Sequence, residues 1–158
     1  MNKLMYLFAA IGISAAIYSC GDSANNSAKQ VDSSEVKSAN VSNYDPKRGE
    51  GKFDASNVSL GAIDAAKAKE GHAIAETKCL SCHKPTDEKL VGPGWKGVTT
   101  RRAPHWIMNF ITNPDPMIDK DPAVQSQFEL CLVRMPNQNL DETQARSILE
   151  YMRENDSK

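Results

Sequence analysis

The run Cys79-Leu80-Ser81-Cys82-His83 constrains this chain more than any other segment. Two thiols three positions apart on a helical turn reach the two vinyl groups of one porphyrin. The His that follows then aims its imidazole at the iron from the same side. The spacing reads as a c-type haem attachment site. Two other readings of paired cysteines compete with it. A thioredoxin-like redox pair wants a strand before the motif and a helix after it, but here the flanks read as helix before and loop after. A structural zinc site needs a fourth ligand, for which Cys131 or His72 would have to be drafted. An export signal, a helix leading into the motif and a distal methionine downstream favour haem.

The chain has 158 residues, with 19 Lys plus Arg against 20 Asp plus Glu, a formal net charge of −1. That length suits one folded domain, and the balanced charge excludes a nucleic-acid binder working through a basic surface. A mean hydropathy of −0.51 excludes a multispanning membrane protein. One apolar run exists, Leu4 to Tyr18, preceded by Lys3. It is short for a spanning helix, which needs roughly 20 residues, and right for the core of a signal peptide. It ends in Ile17-Tyr18-Ser19-Cys20-Gly21, which resembles the lipobox of bacterial lipoproteins. That resemblance implies cleavage after Ser19 and lipidation of Cys20, with several acyl chains anchoring the protein firmly. The alternative is an ordinary secretory signal with an incidental Cys20.

Residues 20–58 are rich in Ser, Asn and mixed charge, with Tyr44 and Phe53 almost the only large side chains to bury. Such a composition predicts a solvated tether. The folded part is then residues 59–158, and the absence of strand signals predicts an all-α domain of four to five helices around one haem. A domain that small gains much from a large apolar cofactor.

At this point the chain resembles a class I cytochrome c over about residues 60 to 155. In that family an N-terminal helix carries a Gly that packs closely against the C-terminal helix. Here the helix spans Ala62 to Lys78 and the Gly is Gly71, while the family's usual aromatic is replaced by Ala75. The segment Lys89-Leu90-Val91-Gly92-Pro93-Gly94-Trp95-Lys96-Gly97-Val98 is similar to the stretch after the haem motif in small bacterial carriers. The resemblance implies that the Pro93 carbonyl accepts a hydrogen bond from His83, and that Trp95 lines the haem pocket. It also implies a distal thioether from Met135 in Arg134-Met135-Pro136-Asn137, since a soft neutral sulfur gives a high potential. Met117, in Asn113-Pro114-Asp115-Pro116-Met117, stays a rival, while Met108 reads as a helix residue. His72 and His105 are weaker candidates for a second histidine ligand. Arg101 and Arg102 are candidates to neutralise a haem propionate, or are simply solvated.

Two further helices are legible. Asp121-Pro122 reads as an N-cap with Pro at the first helical position. It predicts a helix burying Val124, Phe128, Cys131 and Leu132, with Cys131 an inert thiol on the apolar face. Asp141-Glu142-Thr143-Gln144 resembles a capping box opening a helix with Ala145, Ile148, Leu149 and Met152 inward, and the family resemblance implies that Tyr151 is the aromatic that crosses the helix of Gly71. The stretch Thr112 to Arg134 is longer than in the smallest relatives. It is expected to cover the lower haem edge or shape a docking surface.

These readings converge on an electron carrier between respiratory complexes, exported to the periplasm and lipid-anchored, with one haem c held by Cys79 and Cys82 and ligated by His83 and Met135. The resemblance allows a quinol-oxidising complex as donor and a haem–copper oxidase or nitrous oxide reductase as acceptor. The rival readings are a haem subunit or domain of a periplasmic redox enzyme, a peroxidase or reductase, and a haem ligand sensor. Both need an open distal position.

Overall fold

The computed structural model describes residues 44–158, so the signal segment, Cys20 and the first part of the expected tether lie outside the described residues. Among the described residues the chain is all-helical. Six helical segments occur: α1 (Ala65–Lys78), α2 (Val98–Arg101), α3 (Pro104–Thr112), α4 (Asp115–Ile118), α5 (Pro122–Cys131) and α6 (Glu142–Ser157). Two of them, α2 and α4, are single turns of 4 residues, which accounts for the excess over the expected four to five.

Helix α1 starts at Ala65 rather than Ala62 because the Asp64 side chain accepts from the N–H groups of Ala66 and Lys67. That satisfies two of the donors that every helix start leaves unpaired. Helix α6 opens on the expected capping box: Asp141 accepts from the Gln144 N–H while the Gln144 side chain accepts from the Asp141 N–H. Its inward residues Ala145, Ile148, Leu149 and Met152 are all at most 3% exposed.

The two terminal helices cross at Gly71. A Cβ built there would collide with the backbone carbonyl of Ser147, so only glycine lets the backbones approach this closely. Tyr151 crosses α1 as expected, its ring centroid 4.8 Å from that of His72. Ala75 is fully buried beside this crossing. Next to it, the fully buried Glu150 accepts from Arg146 at 2.9 Å and Arg153 at 2.7 Å. The same arginines donate to the carbonyls of Ser59 and Gly61, tying the chain ahead of α1 onto α6.

The predicted boundary at residue 58 needs correction. Residues 44–58 form a strap packed on α3 and the start of α5. Phe53 is 2% exposed, and its backbone is clamped by one side chain: Asn109 Oδ1 accepts from the Phe53 N–H and Asn109 Nδ2 donates to the Phe53 carbonyl, both at 2.9 Å. Gly51 passes so close to Asn109 that a Cβ would strike the amide. At the strap's start the Tyr44 hydroxyl donates to Asp121 at 2.6 Å. A few anchors with buried partners outweigh the polar average of the segment: burying one Phe stabilises by about 1.5–3 kcal/mol.

The helix after Asp121 also departs from expectation. Its cap is as predicted, but the helix ends at Cys131, and Leu132 takes a left-handed φ of 58° as its C-cap. That turn throws Leu132 outward to 79% exposure, and Phe128 is 38% exposed, so of the four residues expected inside only Val124 is buried. The loop expected around Met117 is helix α4, with Met117 itself fully buried.

Candidate haem site

Between α1, α3, α5, α6 and the segments that join them lies one cavity of about 450 Å³, within the range of ordinary cofactor sites. Cys79 and Cys82 line it, at the end of α1 and in the turn beyond. The turn is set by backbone bonds from the Cys82 and His83 N–H groups to the Cys79 carbonyl, both 3.0 Å. Cys79 is 7% exposed and its thiol is pushed up to about 11 by burial, with Lys78 opposing weakly. Both thiols are unbridged.

His83 lines the same cavity, and its Nδ1 lies 2.8 Å from the Pro93 carbonyl oxygen. A carbonyl only accepts, so Nδ1 carries the proton and Nε2 keeps its lone pair for a metal. Burial pushes the His83 pKa below its ordinary value and so favours the neutral, ligating form, outweighing the Pro93 bond, which acts in the opposite direction. Gly92 makes room for this ring: a Cβ there would run into His83 Cε1. Sequence reading passed over Gly92, and the Gly-Pro-Gly run around it was the available signal. Trp95 is 6% exposed on the cavity wall, with its ring centroid 5.5 Å from that of His83.

Among the described residues two methionines reach the cavity, Met135 and Met152; Met108 and Met117 do not line it. Met152 is 3% exposed on the inward face of α6, whereas Met135 is half-buried on the non-helical segment between α5 and α6. That segment is held from both sides. Lys78 donates to the Gln138 carbonyl at 3.0 Å, and Arg134 pairs with Asp119 at 2.9 Å and Asp115 at 3.3 Å. Neither His72 nor His105 lines the cavity; His72 is exposed. Among the described residues no three His, Cys, Asp or Glu side chains gather as a metal cluster, so the zinc arrangement with Cys131 or His72 is not formed. Cys131 is half-buried and, with Phe128, faces this cavity rather than a protein core. Arg101 and Arg102 are also on its wall, Arg102 stacked over Trp106 with 4.8 Å to the ring centroid.

Two thiols, an imidazole with its distal nitrogen free and a thioether, all on one largely apolar cavity, fit a covalently bound haem. The family model for cytochrome c matches residues 68–156. The chain belongs to the cytochrome c family. The cytochrome is similar to a cytochrome c from Rhodothermus marinus, at 40% identity over 66% of this chain and 90% of that one, with a TM-score of 0.62. An engineered form of the Rhodothermus marinus protein, Rma TDE, matches at 38% identity over 72% of this chain and all of that one, with a TM-score of 0.64. The same engineered protein bound to a carbene intermediate matches with a TM-score of 0.61. No curated protein matches the chain. As a cytochrome c it carries covalently bound haem c, and Cys79-Leu80-Ser81-Cys82-His83 is consistent with the family's attachment motif; haem-based electron transfer is the activity of the family.

Proposed function

We propose that this cytochrome is a single-haem electron carrier of a respiratory chain, with His83 and Met135 as the two axial ligands. The observation that carries the reading is Met135 on the wall of the cavity that His83 also lines, on a segment free of helical constraint. Haem supplies a one-electron couple when bound. The chain's part is to hold it: Cys79 and Cys82 attach it, and Pro93 orients the His83 ring. Trp95 and the apolar wall keep water away, and Met135 closes the distal side. A closed iron has no position for substrate, which favours a carrier over an enzyme or a ligand sensor.

The leader ending at Ser19 and lipidation of Cys20 belong to the same proposal. They make the protein an exported, membrane-anchored periplasmic carrier that takes electrons from a quinol-oxidising complex and passes them to a haem–copper oxidase or nitrous oxide reductase. With a net charge of −1, long-range steering is weak, and anchoring supplies encounters through effective concentration. Cys20→Ala is expected to move the protein from the membrane to the soluble fraction with an unchanged spectrum.

The test of the axial pair is a set of three variants. Met135→Ala is expected to abolish the near-infrared Met–iron band and let the reduced protein bind carbon monoxide, while Met117→Ala and Met152→Leu keep the band. A wild-type protein that binds carbon monoxide readily would overturn the carrier reading. Loss of the band in Met152→Leu, with Met135→Ala retaining it, would overturn the ligand.

A further inference from the structure

Asp121 is the N-cap of α5, yet it does more than cap. It is 1% exposed. Its Oδ1 accepts from the N–H groups of Ala123 at 2.9 Å and Val124 at 3.1 Å. Its Oδ2 accepts from the indole Nε1 of Trp106 at 2.8 Å and from the Tyr44 hydroxyl at 2.6 Å. Strap, α3 and α5 therefore meet on one carboxylate.

Three of the four partners, the two backbone N–H groups and the indole N–H, can only donate, and the Tyr44 hydroxyl donates as well when the carboxyl is ionised, so the anion satisfies all four bonds at once. Burial alone raises the carboxyl, but the donated bonds outweigh it and hold Asp121 below the ordinary carboxylate value. Among the described residues no Lys or Arg pairs with it: neighbouring Lys120 goes to Glu50, and Arg102 lies over the Trp106 ring.

The charge sits directly behind the haem cavity. Trp106, Ala123 and Val124, three of its four hydrogen-bond partners, all line the cavity. One indole or one turn of backbone thus separates a buried negative charge from the cofactor. In such a dry region charges interact far more strongly than at the surface. Oxidised haem carries one more positive charge than reduced haem, so a fixed anion nearby stabilises the oxidised form.

We propose that Asp121 is a positioning residue with an electrostatic role: it fixes the α3–α5 wall through Trp106 and the α5 cap, and its charge holds the reduction potential of the haem down. Tyr44, the first described residue of the strap, shares that charge by donating to it. The proposal rests on the haem cavity and not on the choice of distal ligand, so a failure of Met135 leaves it standing.

Redox titration and denaturant unfolding of the intact haem-loaded protein test it with three variants. Asp121→Asn keeps an N-capping oxygen and removes the charge; Asp121→Ser is a second neutral capping variant. Tyr44→Phe keeps the charge and removes one donor. All three are expected to unfold at lower denaturant than wild type. The neutral variants are expected to shift the potential upward, and Tyr44→Phe to leave it unchanged or shift it downward, because the unshared charge is more concentrated. Opposed behaviour supports an electrostatic role, since a merely loosened wall moves all three the same way. Potentials that rise in all three, or that stay at the wild-type value in the neutral variants, overturn the proposal.

Discussion

His83 and Pro93 are joined by a single hydrogen bond of 2.8 Å from imidazole Nδ1 to backbone carbonyl, and Gly92 is the residue that lets the two approach. The bond decides three things together: which nitrogen carries the proton, which way the ring faces, and how basic the ligating nitrogen is. Gly92→Ala inserts a methyl group where the imidazole lies. The expected outcome is a lower yield of covalently loaded protein or a displaced ring, read as an altered absorption spectrum. A loaded Gly92→Ala protein with the wild-type spectrum would contradict the geometry.

Gly71→Ala strikes backbone rather than a flexible side chain, since the nearest atoms are the carbonyl and carbon of Ser147. The terminal helices have to part to admit it. Overpacking of this kind costs about 1–3 kcal/mol, measurable as a lower denaturation midpoint. The Met–iron band should survive as long as the domain folds.

Met117 and Met135 separate a core residue from a cavity residue. Met117 is 0% exposed beneath Gly49 and Trp106. Met117→Ala is expected to lose about 2–5 kcal/mol of stability, the range for emptying a buried Met site. Urea unfolding measures that loss, and an unchanged midpoint would mean that the site collapses without cost.

The strap is expected to contribute to stability through Phe53. Phe53→Ala removes a fully packed ring, and such changes cost about 3–5 kcal/mol. Asn109→Ala removes both clamps on the Phe53 backbone and is expected to expose the strap to limited proteolysis near residues 44–58. A strap in which both variants resist protease like wild type would not be docked as described.

Asp121 also makes stability depend on pH. Its carboxyl lies below the ordinary value in the folded chain. The stability it contributes is therefore fully present above the unfolded value of about 3.9 and is lost as pH falls through the lower, folded value. Asp121→Asn is expected to be less stable than wild type at neutral pH, with the gap narrowing as the solution is acidified below about pH 4. A gap that stays constant down to pH 2 would argue against an ionised Asp121.

What could be read from the chain alone was whatever depends on neighbours in sequence. Cys79, Cys82 and His83 are set by spacing on one turn. The Asp121 and Asp141 caps are local bonds within three residues. The inward face of α6 follows from its period, and Gly71 and Pro93 followed from a family resemblance carried by contiguous motifs. Tertiary structure decided whatever depends on partners far along the chain. Tyr44 and Phe53 were misread because their partners, Asp121 and Asn109, are 77 and 56 residues away. Leu132 and Phe128 were expected inside because helical periodicity shows that a face is apolar, not what that face meets. Here α5 stops one residue short of Leu132 and turns Phe128 and Cys131 toward the cofactor cavity. The double role of Asp121 has the same origin: its cap is written in the next three residues, whereas its charge acquires meaning only where strap, indole and cavity wall converge.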